Sequence, residues 1–224
     1  MLSVEEKGKG RVKQSDISTK TAPAHGRRFL LAGLLALGVA APQPALAQFS
    51  DTYKFLEAVK KSDTAAILKA IEVPGVTPVN TKDRSTGETA LHITVGRRDI
   101  VMTNYFLQHG ARTDITDNRG RTPLMIAVER RFIEGAQQLL ARKASPNLAN
   151  DSGETPLIRA VQMGDLDMVR LLLTAGADPS RRDTLAGMSS LDYAKRDNRG
   201  SAMIDLLSAK VKAAPSKGVQ GPQF

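Results

Sequence analysis

Three histidines, His25, His92 and His109, and no cysteine make up the whole stock of imidazole and thiol in this 224-residue chain. Without cysteine there can be no disulfide, thiolate metal site or thiol nucleophile. The same lack suits an oxidising compartment, where a stray thiol would be a liability. A zinc site needs three or four nitrogen, sulfur or oxygen ligands at short spacing. Neither His92 nor His109 has a second His or Cys at such a distance along the chain. A Ser-His-Asp centre needs a nucleophile, a base and an orienting carboxylate that converge in a cleft. Here serine and aspartate gather in turn-rich stretches, and none of the G-x-S-x-G, P-loop, H-E-x-x-H or dinucleotide patterns is present. Asp114, Asp117 and Asn118 lack the rest of a calcium-binding loop and its terminal glutamate. The expectation is a protein that is not an enzyme and carries neither cofactor nor metal.

The chain holds 32 basic and 23 acidic residues, a net charge of +9. Much of that excess sits at the start. Residues 29–41 are an unbroken apolar run, preceded by Arg27 and Arg28 and followed by Pro42, Pro44 and Ala45-Leu46-Ala47. A basic segment, an apolar segment and a small-x-small site, in that order, form an export signal. The run is too short to span a bilayer as a helix, which needs about 20 residues. Cleavage after Ala47 is expected, with an uncleaved anchor as the alternative. Cleavage removes 7 basic and 3 acidic residues and leaves a net charge of +5. A balance of that size aids solubility and favours acidic partners without calling for nucleic acid.

The elements that hold these residues are set by a repeat. Gly87-Glu88-Thr89-Ala90-Leu91 recurs as Gly120-Arg121-Thr122-Pro123-Leu124 and as Gly153-Glu154-Thr155-Pro156-Leu157, and in worn form from Gly187. These glycines lie 33, 33 and 34 residues apart. Within each unit, Thr before Pro marks a helix start. A second apolar stretch, such as Leu166, Val169, Leu172 and Leu173, has the spacing of an amphipathic helix. Gly110 and Gly176 then end the second helix, where a positive φ is required, and Asp and Asn fill the turns that follow. Only 4% of residues are aromatic and there is no Trp, which suits small packed helices better than a β-sandwich. Three residues depart from the pattern. Arg98 and Arg131 stand where Gly164 supplies the tight-turn residue, and Lys143 stands where Gly110 and Gly176 do. A side chain at positive φ is costly, so the middle unit is expected to be strained or loosened.

The period and the T-P-L signature resemble those of the ankyrin-repeat family. In size, leader and repeat number, the chain is similar to small periplasmic ankyrin-repeat proteins of Gram-negative bacteria. The resemblance implies an all-α solenoid of stacked helix-turn-helix units with β-turn fingers, about five units including caps. The boundaries expected are a leader at 1–47, an N-terminal cap at 48–86 and repeats at 87–119, 120–152 and 153–186. A C-terminal cap at 187–211 and a disordered tail at 212–224 complete the chain. It further implies that His92 hydrogen-bonds within and between turns. The function implied is a non-catalytic scaffold that binds another protein in the periplasm as a monomer, with no membrane insertion once the leader is gone. A secreted effector acting on host proteins is the alternative.

The family's binding face is made of finger tips and the exposed side of the first helices. Carried onto this sequence, the finger positions include Arg84, Glu88, Asn118, Arg119, Arg121, Asp151 and Glu154. The first-helix positions include Arg97, Glu129, Arg130, Gln162 and Met163. One pattern needs no family. Arg97-Arg98 and Arg130-Arg131 lie 33 residues apart and so stack, with Lys60-Lys61 at the corresponding place in the cap. Together with Arg119 and Arg121 this basic stripe is either a solvated edge or a site for an acidic protein or an anionic surface.

Overall fold

The computed structural model describes residues 43–72 and 78–213, with side chains placed between 52 and 211. The apolar run at 29–41, residues 73–77 of the first finger, and the chain after 213 lie outside the described residues. Ten α-helices and no strand occur among the described residues; one isolated antiparallel bridge joins Arg182 and Ser189. The helices come in consecutive pairs: α1 (Gln43–Lys61) with α2 (Thr64–Ile71), α3 (Ala90–Gly96) with α4 (Ile100–Gln108), and α5 (Pro123–Glu129) with α6 (Ile133–Ala141). Then follow α7 (Pro156–Gln162) with α8 (Leu166–Thr174), and α9 (Ser190–Arg196) with α10 (Ser201–Ala213). Within residues 42–224 each pair packs on the next, first helix on first helix, to give the expected all-α solenoid.

Local chemistry starts and stops each helix. The Thr122 and Thr155 hydroxyls accept from the backbone N–H groups of Met125 and Ile158 at 3.2 and 3.3 Å, and Pro123 and Pro156 follow them as first helical residues. Ser189 does the same for Asp192 at 3.2 Å. Asp63, Asp99 and Asp165 cap α2, α4 and α8, each accepting from a backbone N–H at 3.0 Å. Such caps stabilise a helix start by about 1 kcal/mol. Between the two helices of each pair the chain reverses through a left-handed residue: Ser62, Arg98, Arg131, Gly164 and Asn198 have φ of 57°, 59°, 50°, 68° and 47°. The ends of α4, α6 and α8 are followed by Gly110, Lys143 and Gly176 at 81°, 63° and 90°. The departures seen in the sequence therefore adopt the glycine conformation.

Helices of this length are marginal alone, so packing holds them. Leu91, Leu124 and Leu157 are almost wholly buried, while Leu191, the corresponding residue of the last pair, is half-buried. Each unit covers its apolar face with the next, and no described helix pair follows α9 and α10. Ala127, Ala160 and Ala194 are also buried and let the helices approach. Thr94 takes the same place, its hydroxyl donating to the Ala90 carbonyl at 3.2 Å and accepting from Thr103 at 3.3 Å.

Helix reaches past the expected boundaries at both ends. Ala45, Leu46 and Ala47 fall in the first turns of α1 rather than before it. Among its placed side chains, the buried ones are Phe55, Leu56, Ala58 and Val59, so cleavage after Ala47 would leave this packed part of α1 whole. At the other end α10 runs to Ala213, two residues into the stretch read as disordered tail, because Lys212 and Ala213 continue a good helix-forming run.

Candidate protein-binding surface

The fingers are built alike. In each, an Asp or Asn carbonyl oxygen or carboxylate gathers backbone N–H groups two to four residues ahead. Asp83 holds Ser85 and Thr86 at 2.8 and 3.0 Å, and Asp117 holds Arg119 and Arg121, both at 2.9 Å. Asn150 holds Ser152 and Glu154, both at 3.0 Å. One backbone hydrogen bond then ties each finger to the next: Asn118 to Thr86, Asp151 to Arg119 and Thr184 to Ser152, at 3.0, 3.2 and 3.0 Å. Gly87 and Gly120 allow this approach, since a Cβ on either would lie 2.4 Å from the Asn118 or Asp151 side chain. The fingers are thus a fixed platform.

On that platform Arg84, Asn118, Arg119 and Asp151 are exposed. Asn118 donates to the Ser85 carbonyl at 2.9 Å, whereas the Arg119 guanidinium has no partner among the described residues. Glu88, Arg121, Glu129, Glu154, Gln162 and Met163 are half-buried along the floor between fingers and first helices. There the charges are mostly spent on one another. Arg121 pairs with Asp117 at 2.7 Å and Glu129 at 2.9 Å. Burial works against the Asp117 charge, but the Arg121 side chain and the Arg121 and Arg119 N–H groups outweigh it and hold the carboxyl below its usual value. Glu154 accepts from Asn150 at 3.2 Å and lies 3.7 Å from Arg159. Its burial still raises its pKa, because these partners offset only part of the desolvation. Arg159 also donates to Gln162 at 3.4 Å.

His92 sits beneath this floor, 1% exposed. Its Nδ1 accepts from the Thr89 backbone N–H at 3.2 Å and lies 2.8 Å from the Thr89 hydroxyl, and its Nε2 donates to the Arg121 carbonyl of the next unit at 3.1 Å. Burial pushes its pKa down, which fits a neutral ring bonded at both nitrogens. His109 bonds the Tyr105 carbonyl at 2.8 Å at the end of α4. No group of three or more potential metal ligands occurs among the described residues.

The basic stripe divides in two. Arg97 reaches back to the end of α1, donating to the Val59 carbonyl at 2.8 Å, to Ser62 at 3.0 Å and to the Lys60 carbonyl. Arg131 reaches forward to the Met163 carbonyl at 2.7 Å. Arg199, unremarked in the sequence, bonds the Gln162 carbonyl, and Arg142 the Leu107 carbonyl at 3.1 Å. These arginines satisfy helix-end carbonyls of neighbouring units, where positive charge is favourable. The Lys60-Lys61 pair is also shifted by one residue, since Ser62 holds the left-handed place of Arg98 and Arg131. Lys60 is committed to Asp83 at 2.7 Å and holds that carboxyl far below the usual carboxylate range. Arg98 and Arg130 are exposed, and their guanidinium groups bond no carbonyl or carboxylate among the described residues. Arg98 stands 5.8 Å from the centre of the Phe132 ring. Phe132 occupies the place that Asp63, Asp99 and Asp165 hold in the other units, an exception that the 33-residue register of the sequence exposes.

Stacked helix pairs joined by hydrogen-bonded fingers define a helical repeat scaffold. Family models agree: ankyrin repeats in three copies match residues 55–150, and a single ankyrin repeat matches 152–184. Together they span more than half of the sequence, and the chain belongs to the ankyrin-repeat family. Proteins of this family are generally non-catalytic scaffolds for protein–protein interaction, and no enzyme family is indicated. No curated protein matches the chain. No helix among the described residues is long and apolar enough to cross a membrane.

Proposed function

We propose that this protein is an exported, non-catalytic ankyrin scaffold that works in the periplasm by holding another protein, acidic in character, against its fingers and first helices. The observation that carries the binding face is the finger platform. Its backbone is fixed by one hydrogen bond per joint, and Arg84, Asn118, Arg119 and Asp151 project from it. A preset backbone lowers the ordering cost of association. Export rests on the sequence: Arg27 and Arg28, the apolar run at 29–41 and Ala45-Leu46-Ala47. The small positive charge left after cleavage favours an acidic protein over a nucleic acid.

A photo-crosslinking residue placed at Arg119 or at Asp151, beside one at Gln137 on the exposed side of α6, tests the face in cells. The expected result is one common protein captured from both finger positions and not from Gln137. Equal capture from all three positions would overturn it. Cell fractionation with N-terminal sequencing tests export, with Gln48 expected as the first residue of a periplasmic protein; an intact leader in the cytoplasmic fraction would contradict it.

A further inference from the structure

We infer that the edge made by the helix-pair turns is a second recognition surface, centred on Arg98, Phe132 and Arg130, that takes an acidic segment of a partner protein. The inference rests on the protein-binding reading for the class of partner only; the surface itself is separate from the fingers.

Several cations among the described residues are already committed. Lys60 is held by Asp83, Arg121 by Asp117 and Glu129, and Arg97 and Arg131 by helix carbonyls. Arg98 and Arg130 are not. They lie beside the turn before α6, which, unlike the turns before α2, α4 and α8, has Phe132 in the place of a capping aspartate.

The fold gives up local stability to make this arrangement. α6 has no side-chain cap at Phe132, where an aspartate would stabilise the helix start. Gly135 stands inside the same helix, where glycine is less favourable than alanine. It must be glycine, because a Cβ there would lie 2.3 Å from the Phe132 ring. Two breaches of local preference thus converge on one ring, beside the Arg98 guanidinium. Such breaches collect where a site is being built. The ring is 3% exposed and cannot itself be the contact. It fixes the Arg98 guanidinium from one side and leaves the fork of N–H donors to solvent. A planar guanidinium stacked on an aromatic ring is preorganised for bidentate carboxylate binding. With the exposed Arg130 on the next unit, two guanidinium groups serve an acidic segment that runs along the stack.

Fluorescence polarisation with a labelled octaglutamate peptide tests this on the full mature chain at low salt, with labelled octaglutamine as the neutral probe. Octaglutamate should bind and octaglutamine should not. The pair Arg98→Gln and Arg130→Gln should weaken binding about tenfold, an effect of the size expected for close charge partners. The pair Lys69→Gln and Arg170→Gln removes the same charge from exposed positions on α2 and α8 and should change it less than about twofold. Phe132→Leu removes the ring but keeps an apolar side chain in the core, and should weaken binding in a protein that still unfolds cooperatively, with a lower melting temperature. Equal loss for both pairs of variants would overturn the inference, since binding would then follow net charge alone. Binding to phosphatidylserine vesicles without binding to octaglutamate would also overturn it, by assigning the edge to a membrane surface. If octaglutamate fails to bind while the finger crosslinks form, only this surface is lost; if the crosslinks fail while octaglutamate binds, only the finger face is.

Discussion

Lys143 and His92 each hold a position where side-chain type and backbone demand can be weighed directly. Lys143 has φ of 63°, exposed to solvent, between Gly110 and Gly176 at the same register. An L-residue in the left-handed region costs about 1–2 kcal/mol, while glycine gives the unfolded chain more freedom, worth about 0.4–1 kcal/mol. The first effect is the larger. Lys143→Gly should therefore raise Tm by about 2 °C in a thermal melt, and no rise would mean that the turn relaxes at little cost. His92 carries a pH dependence of definite sign. Burial depresses its pKa in the folded state, so as pH falls through about 6.5 the unfolded chain takes up the proton first. The unfolded state then binds more protons, and stability falls with falling pH. Urea titrations between pH 7 and pH 5 should show this loss, and His92→Gln should flatten the slope in that window. Both residues were legible in the sequence, because a fixed register shows which type is out of place. The partners of Arg97 and Arg131 were not, because a stack of like charges in sequence does not reveal the carbonyls each one reaches.

At the scale of elements the least regular helix is α6. Its neighbours α4 and α8 start at a capping aspartate, but α6 starts at a buried phenylalanine that needs the missing side chain of Gly135. The two residues act as one unit. In the native background Gly135→Ala should destabilise by about 1–3 kcal/mol, as overpacking does, because the Cγ of Phe132 lies 3.0 Å from the added atom and the ring cannot swing away at its root. In a Phe132→Ala background the same change should stabilise by about 1 kcal/mol, through helix propensity alone. Chemical denaturation of the four proteins of this cycle measures the coupling, and an unchanged sign would separate the two residues. The caps of α5 and α7 could be read from Thr-Pro, and the absence of an aspartate at 132 from the register. The need for glycine at 135 could not, since it depends on where a ring from the preceding turn comes to lie.

Across residues 42–224 the joints between units are similar in plan and unequal in strength. Near the end of each second helix a side chain from the preceding unit crosses to the next. The Asn80 amide donates to the Gly110 carbonyl at 3.0 Å and its oxygen accepts from the Arg112 N–H at 2.7 Å. Asn147 repeats this with Gly176 and Asp178 at 3.0 and 2.8 Å. At the joint between them the residue is Asp114, whose carboxylate accepts from the Ser145 N–H at 3.0 Å. A carboxylate has no N–H to donate, so the Lys143 carbonyl goes without the bond that Gly110 and Gly176 receive. Missing bond and strained lysine coincide at one joint, which the sequence indicated only through the lysine. In a solenoid each interface contributes nearly independently, so the weakest one sets where the stack opens. Hydrogen exchange should therefore be faster at Ala144 and Ser145 than at Ala111 and Arg112 or at Ala177 and Asp178. Asp114→Asn together with Lys143→Gly rebuilds the joint on the pattern of its neighbours. The double variant should slow exchange at Ala144 and Ser145 to the rate of the flanking joints and raise Tm beyond either single change. Equal exchange at all three joints in the unaltered protein would show that packing between α4 and α6 makes up for the absent amide.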